Sequence, residues 1–573
     1  MTDTNVASLD LPDYAGLELL GGNLPREREA WPKFATRRTL DASGDFYDLA
    51  AEEIAEYISG RNWEWPDHDI FFLCDVHADA DAFLRSLVAT GGVEKTGPRD
   101  ADLQLRPAGR AATFVLGGDF LDKGPSNLRL LRTLRALIDT GARVDILAGN
   151  HDVRALVGLE YMGRKEPWLA HLFVRMGKKA IPLLKEIHDT YLAGGDQAPR
   201  SSVDDARLRE LLLPEPTWFD EFPQAVQGLV PEKRVHNELK RIREKIEEMD
   251  ESRREAGLSV GAVYAAALKA RELFRAPSGE FRWLFDSMRL ARREGSFLFI
   301  HAGVDDVVAG QLVHAGVEKL NDRFRQLLNE NLFELYHGPI GNTIRTKYRD
   351  CDMALTDRGV SALHEAGILA IVHGHRNIPR GQRIGLRNGM LNFECDATVD
   401  INTRKLLGLH GIGGAATLVS PAGIITGIST DYPYAKSFDI RTIAAMAAQF
   451  PLVLRRTRSN GHRKGGRVME QTLETIEKKH KHTTDGTLEI HAKAEVKFED
   501  TLSLAEAVSY FEAIIAGLKQ GSINIRRGDQ DVTLTPTPQV AVEVKAVRKK
   551  KKEGITCKVF WHTLEVDAPI PPQ

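Results

Sequence analysis

Cysteine is scarce in this chain: Cys74, Cys351, Cys395 and Cys557 are the only four, and no two share a CxxC spacing. That argues against a thiolate zinc module and against a disulfide-stapled secreted fold, and it fits a reducing compartment. Long apolar runs are missing too. No stretch approaches the roughly eighteen uninterrupted apolar residues of a membrane span, so no membrane is expected among its partners. The opening residues, MTDTNVASLDLPDY, lack a basic segment followed by an apolar run. No secretory signal is therefore expected, and the expected location is cytoplasmic. An excess of one charge is absent as well. The 77 basic and 80 acidic residues leave a net charge of -3, so any charged patch must be local and nucleic acid is not the expected partner.

What is present is a soluble globular composition, 42% apolar, in 573 residues, more than one ordinary core accommodates. Residues 1–65 read as an N-terminal extension in which Phe46 to Ile58 has the spacing of a short amphipathic helix. Residues 66–435 hold apolar strand-like runs separated by longer segments. Within them, about 153–293 is rich in charge and reads as a helical insertion. Its stretch VHNELKRIREKIEEMDESRREAG (235–257) interleaves glutamates with basic residues at helical spacing, as a solvated helix does. Residues 436–486 shift to a basic, glycine-containing composition and read as a linker.

Residues 487–573 read as a small α+β unit. Leu488, Ile490, Ala492, Ala494, Val496 and Phe498 alternate with mostly polar residues like a half-buried strand. Ser503 and Glu506 then form a capping-box pattern ahead of Leu504, Val508, Phe511, Ile515 and Leu518 at helical spacing. Further alternating runs follow, and RKKKKEG (548–554) reads as a hairpin tip kept soluble by lysine.

The chemistry lies in five apolar runs that each end in a residue able to bind metal or move a proton. IFFLC runs into Asp75-Val76-His77, TFVL into GGDFLDKG (117–124), VDILA into Gly149-Asn150-His151-Asp152, FLFI into His301, and ILAIV into His373-Gly374-His375. Buried strands of α/β folds deliver functional groups at their carboxyl ends. One such ending means little; five in one chain point to a common site. Carboxylate, imidazole and amide donors together suit borderline first-row ions, and neither a thiolate site nor an all-oxygen calcium site. A carboxylate between two ions offsets their repulsion, and two ions about 3.5–4 Å apart can hold a phosphoryl group in line.

In that order, D-x-H, GD-x-x-D-x-G, GNH-D, a later His and a final G-H resemble the calcineurin-like metallophosphoesterases, and GDFLDKG with GNHD is most similar to their phosphoprotein-phosphatase type. The resemblance spans Asp75 to His375. It implies an α/β fold, a four-layer αββα sandwich, here with the helical insertion and the C-terminal unit added. It also implies two divalent ions, manganese first and Fe, Zn, Ni or Co as alternatives. Asp75, His77 and Asp119 would hold one ion; Asp119, Asn150, His301 and His375 the other. His151 would protonate the leaving oxygen with Asp122 orienting it, and Lys123 would grip phosphate where the family usually has Arg. A lysine there is a point charge and not a bidentate fork. His373 competes with His375, and GPIGNTIRTKYRD offers Arg345, favoured, or Arg349 as a second phosphate ligand. Asp152 reads mainly as a turn or cap residue.

The C-terminal segment, with GLKQGSINI, DVTLTPTPQVAVEVKA and a strand ending at Trp561, resembles the amphi-Trp domain over about 487–562. That likeness implies only an accessory role, such as docking a protein partner. The expected activity is hydrolysis of phosphate monoesters on a phosphorylated protein or small molecule. A nucleotide, dinucleoside polyphosphate or phosphodiester is the alternative, and a non-catalytic scaffold acting through the C-terminal unit is the third. Deleting residues 465–573 should leave steady-state kinetics on a small substrate such as p-nitrophenyl phosphate unchanged. A large loss of kcat would give that unit a part in catalysis.

Overall fold

The computed structural model describes residues 11–31, 39–40, 46–47, 51–193, 205–228, 230, 232–349, 352–443, 504–527, 530–535, 541–549 and 552–560. The chain divides into two units, Met1–Leu454 and Arg455–Gln573.

In the first unit, runs such as IFFL, TFVL and FLFI are buried at every residue. Apolar residues on both faces of a strand require a layer on each side, which is the environment of parallel strands in a sandwich. Two sheets result. The larger contains β1 (Arg28–Ala30), β2 (Ile70–Leu73), β3 (Thr113–Leu116), β4 (Arg143–Leu147) and β5 (Met288–Arg289). The smaller contains β6 (Ala291–Glu294), β7 (Phe297–Ile300), β8 (Ala370–His373), β9 (Arg383–Arg387) and β10 (Met390–Glu394). β11 (Ala415–Ser420), β12 (Ile424–Ser429) and β13 (Ala435–Asp439) complete the larger sheet, whose order is β1-β13-β12-β11-β2-β3-β4-β5. The smaller runs β6-β7-β8-β10-β9. β2, β3, β4 and β5 are mutually parallel, as are β7, β8 and β10.

The sheets face each other across one apolar core. Phe72, Val115 and Leu147 meet Phe299, Val372 and Phe393 there, with the Phe72 and Phe299 rings 5.8 Å apart. Helices cover the outer faces, giving the four-layer αββα arrangement. Residues from the N-terminal stretch join it: β1 pairs with β13, and Ile54 and Ile58 are buried against the inter-sheet core. The predicted helix from Phe46 is shorter than its apolar spacing suggests. Phe46–Tyr47 pairs as a strand with Thr39–Leu40, and the helix α1 occupies Ala51–Ile58.

The charged insertion is helical. α2 (Ala180–Ile187), α3 (Glu232–Glu255) and α4 (Val260–Arg275) lead its elements. α3 is not solvated all round. Val235, Ile242 and Met249, one every seven residues, are buried, the first two in a cluster with Trp218 and Phe222. A single apolar stripe is easily hidden among so many charges, yet it suffices to dock one face of a helix. Glu186 on α2 accepts the backbone N–H of Asn127 at 2.8 Å, fastening the insertion beside the loop 117–124.

In the second unit a helix, Leu504–Gln520, is followed by hairpins Ile523–Arg527 with Gln530–Leu534 and Ala541–Lys549 with Lys552–Phe560. Lys549 pairs with Lys552, and residues 550–551 between them lie outside the described residues. The strand expected over 488–498, the cap Ser503, the linker beyond 443 and Trp561 lie outside the described residues.

Phe299→Ala should destabilise the first unit by about 3–5 kcal/mol through lost burial and an unfilled inter-sheet cavity. Thermal melting should show this as a drop of several degrees, and an unchanged midpoint would mean that the two sheets do not share one core.

Candidate metal centre

The carboxyl ends of β2, β3, β4, β7 and β8 lie at one edge of the sandwich, and the loops leaving them are tied together before any side chain is considered. Asp75 N–H donates to Gly118 O (3.1 Å), His77 N–H to Asp119 O (2.9 Å) and Ala78 N–H to Phe120 O (2.7 Å). These loops are strained. Asp75, His77, Ala78, Asp119, Asp122, Lys123 and His375 all have φ between 44° and 69°. Such backbone costs an L-residue on the order of 1–3 kcal/mol and persists only where its surroundings enforce it.

Asp152 does much of that enforcing. It is fully buried, and its carboxylate accepts the N–H groups of Asp119 (2.8 Å), Phe120 (2.9 Å), Leu121 (3.0 Å) and Gly149 (3.2 Å). Burial and then the Asp119 charge push its carboxyl up to about 7, against the pull of those N–H donors. It caps the helix Asn150–Glu160, as its sequence position suggests, and also holds the neighbouring loop. Glycine is required where the loops touch. A Cβ on Gly149 would stand 2.1 Å from Asp119 N, and one on Gly374 2.0 Å from Asp75 Oδ2.

The predicted side chains meet. Asp119 is central: Oδ2 lies 3.7 Å from His77 Nε2 and 3.9 Å from His151 Nε2, while Oδ1 lies 3.6 Å from His301 Nε2. Asp75 Oδ1 is 3.8 Å from His77 Nε2. Asn150 Oδ1 is 3.3 Å from His301 Nε2, and the rings of His301 and His375 are 5.1 Å apart. Two donor groups share Asp119: one with His77 and His151, the other with His301 and His375.

Backbone carbonyls orient the imidazoles. His301 Nδ1–H donates to Gly117 O at 2.7 Å, and the Nδ1 of His77 faces Leu121 O at 3.5 Å, which leaves Nε2 of each as the lone-pair nitrogen. His375 is reversed. Its Nε2–H donates to Arg345 O at 3.0 Å, leaving Nδ1 for the centre. Such partners choose the tautomer and raise ligand basicity. His373 turns elsewhere: Nδ1 bonds Gly374 O at 2.9 Å and Nε2 lies 3.9 Å from Glu394 Oε1.

The electrostatics call for added positive charge. Burial, then Asp119, pushes the Asp75 carboxyl up to about 8, and burial drives the imidazoles of His77, His151 and His375 well below their usual range. Buried carboxylates this close resist joint ionisation unless a cation offsets them. Neutral imidazoles are the ligating form. The donor set therefore fits divalent metal.

On one flank, His151 Nδ1 lies 2.9 Å from Asp122 Oδ2 and 2.7 Å from Arg154 Nη2, and the same guanidinium nitrogen bonds Asp122 at 2.9 Å. Lys123 Nζ donates to His77 Nε2 at 2.6 Å. Arg345 approaches the centre through its carbonyl, with its guanidinium 5.2 Å over the Tyr336 ring. Arg349 is exposed and paired with Asp352 at 3.2 Å. Sequence reasoning missed Arg154. Arg154 stands three residues after His151 on one helix face, a spacing that signals contact.

Comparison with known proteins agrees with this architecture. The calcineurin-like phosphoesterase family matches residues 68–239, and the Amphi-Trp domain matches residues 491–562. The chain carries a calcineurin-like phosphoesterase domain. It is accordingly a metal-dependent phosphoesterase. The match includes Asp75, His77, Asp119, Asn150 and His151 of this domain and stops before His301 and His375. Among solved structures, a cold-active protein-tyrosine phosphatase of a psychrophilic Shewanella species is 13% identical, with a TM-score of 0.33, covering 70% of this chain and 89% of its own. A protein serine/threonine phosphatase from Saccharomyces cerevisiae is 13% identical, with a TM-score of 0.27, covering 68% of this chain and 90% of its own. No curated protein matches the chain. No helix of the described residues is long and apolar enough to cross a membrane.

Metal binding to the phosphoesterase domain should be linked to pH. The Asp75 carboxyl, raised from 3.8 to about 8, keeps its proton in the metal-free folded chain where the unfolded chain has lost it. Metal-free stability should therefore fall as pH rises from about 4 to 8. Metal replaces the proton. The rise in melting temperature on adding Mn²⁺ to chelator-treated protein should be larger at pH 8.5 than at pH 6. An equal rise at both pH values would contradict it.

Proposed function

We propose that the domain hydrolyses phosphate monoesters at a two-metal site, with Asp75, His77 and Asp119 holding one ion and Asp119, Asn150, His301 and His375 the other. The observation that carries this reading is the position of Asp119, whose two oxygens face different donor groups, His77 by Oδ2 at 3.7 Å and His301 by Oδ1 at 3.6 Å. A carboxylate so placed can bridge two ions. Manganese is the proposed native metal, and the mixed nitrogen and oxygen donors leave Fe, Zn, Ni and Co as alternatives. Two ions would supply Lewis-acid polarisation of the phosphoryl group and a water able to attack at neutral pH.

The chain's own residues do the rest. His151 presents Nε2 to the centre while Asp122 and Arg154 hold its Nδ1 edge, so Nε2 is the atom that hands a proton to the leaving oxygen. Water's oxygen forms the new bond to phosphorus as the ester P–O bond breaks. The bonding pair leaves with the ester oxygen, which takes the His151 proton, and the proton released by water goes to solvent. Burial keeps His151 easily deprotonated, which makes it a strong acid once loaded. Lys123 attracts the phosphoryl oxygens as a point charge. The likeness of GDFLDKG and GNHD to the phosphoprotein-phosphatase type supports a phosphoserine or phosphothreonine substrate.

Asp119→Asn should abolish turnover and lower the bound metal measured by elemental analysis, because the bridge loses its charge. Full activity in that variant would sink the two-metal reading. His151→Ala should retain metal and lose roughly 10²–10⁴-fold in kcat. Loss of metal instead would make His151 a ligand.

A further inference from the structure

Segment 343–348 lies against both of the loops that carry His301 and His375. From the first loop, Ala302 and Gly303 donate their N–H groups to Thr343 O at 3.2 and 3.1 Å, and Val304 N–H donates to the Tyr348 hydroxyl at 3.1 Å. From the second, His375 Nε2–H donates to Arg345 O at 3.0 Å, and Arg376 Nη2 donates to Lys347 O at 2.5 Å. One short stretch of chain therefore supplies acceptors to the residues that follow His301, to His375 and to the neighbour of His375. The two loops also bond directly, Gly374 N–H to His301 O at 2.9 Å.

Within this segment Tyr348 is held hardest. Its φ is 55°, a left-handed backbone that a bulky side chain rarely adopts. Thr346 Oγ1 accepts its N–H at 3.1 Å. Two guanidinium groups lie over its ring, that of Arg387 on β9 at 4.5 Å and that of Arg376 at 5.9 Å, within reach of cation–π attraction. Arg376 follows His375 directly, so the ring reaches the second loop while the hydroxyl reaches the first. The fit against the first loop demands glycine: a Cβ on Gly303 would stand 2.2 Å from the Tyr348 hydroxyl oxygen. Strained backbone persists only where its surroundings over-determine it, and here those surroundings are the two ligand-bearing loops.

We propose that Tyr348 is a positioning residue for the ion assigned above to His301 and His375. Its hydroxyl fixes the loop after His301, and its ring fixes Arg376 beside His375. Both imidazoles thereby keep the spacing at which one ion can take both. The inference rests on the two-metal reading for the identity of that ion. Partners outside the ligand set tune a metal site by orienting its ligands before the ion arrives. Acting through the two loops, Tyr348 governs affinity for metal and not the chemistry of the loaded site.

The test uses the full chain with Tyr348→Phe, which keeps the ring and removes the acceptor, and Tyr348→Leu, which removes both. Tyr57→Phe is the control. The Tyr57 hydroxyl bonds Leu369 O at 2.7 Å, at the other end of β8 from His375, so its loss should cost stability alone. Mn²⁺ binding to chelator-treated protein is measured by calorimetry, with thermal melting alongside. Tyr348→Phe should weaken one of the two ions about tenfold and Tyr348→Leu up to about 100-fold, the range for losing an outer partner of a metal ligand. The other ion and the control should keep wild-type affinity. Hydrolysis of p-nitrophenyl phosphate by Tyr348→Phe should fall at limiting Mn²⁺ and recover in excess Mn²⁺. Wild-type affinity for both ions in both Tyr348 variants overturns the proposal, whatever the melting temperature does. So does an equal weakening of both ions, or of Tyr57→Phe, which would make the tyrosine a general support of the fold. A wild type that binds a single ion would count against the two-metal reading, and the affinity of the Tyr348 variants for that ion would still decide the positioning role.

Discussion

The carboxylate of Asp152 is the interaction on which the site depends. It gathers the backbone N–H groups of Asp119, Phe120, Leu121 and Gly149 into one buried point. That ties the loop after β3 to the start of the helix after β4. Four side chains of the proposed site inherit their positions from it: Asp119 and Asp122 on one segment, Asn150 and His151 on the other. A buried charge of this kind is tolerable because hydrogen-bond donors surround it, and each donor left without it would be a buried unsatisfied amide.

The same knot explains how seven L-residues are held with left-handed backbone at one edge of the molecule. Strain of that kind relaxes unless packing forbids it. Here the neighbouring loops bond to one another through Asp75, His77 and Ala78, and glycines at 149 and 374 let them approach. The consequence is a set of carboxylates and imidazoles pre-positioned closer than their own electrostatics favour. Cation binding relieves that conflict, so the site's affinity for metal and its intrinsic instability have one physical origin.

Charge is distributed unevenly around this centre. Asp75 and Asp119 lie among the imidazoles, while Lys123 bonds His77 and Arg154 bonds His151. In the insertion an apolar stripe, Val235, Ile242 and Met249, docks α3, and docking brings Lys245 over Gly177.

Much of this was legible from residue order. Apolar runs ending in Asp-x-His, Gly-Asp, Gly-Asn-His, His and Gly-His implied buried strands and the donor set, because a fully buried strand leaves few reasons for such endings. Cap chemistry predicted a terminal role for Asp152, but its three bonds to the loop of Asp119 span about thirty residues and have no local signature. For the same reason Phe46 appeared helical, although pairing with Thr39–Leu40 decides its conformation. The sequence by itself determined which residue types could reach a metal. Only the tertiary structure decided that His375 faces the centre while His373 faces Glu394, that Arg345 offers its carbonyl and not its guanidinium, and that α3 docks by Val235, Ile242 and Met249. Those choices depend on which way a side chain leaves a loop and what the insertion packs against, and neither is written in any neighbouring stretch of sequence.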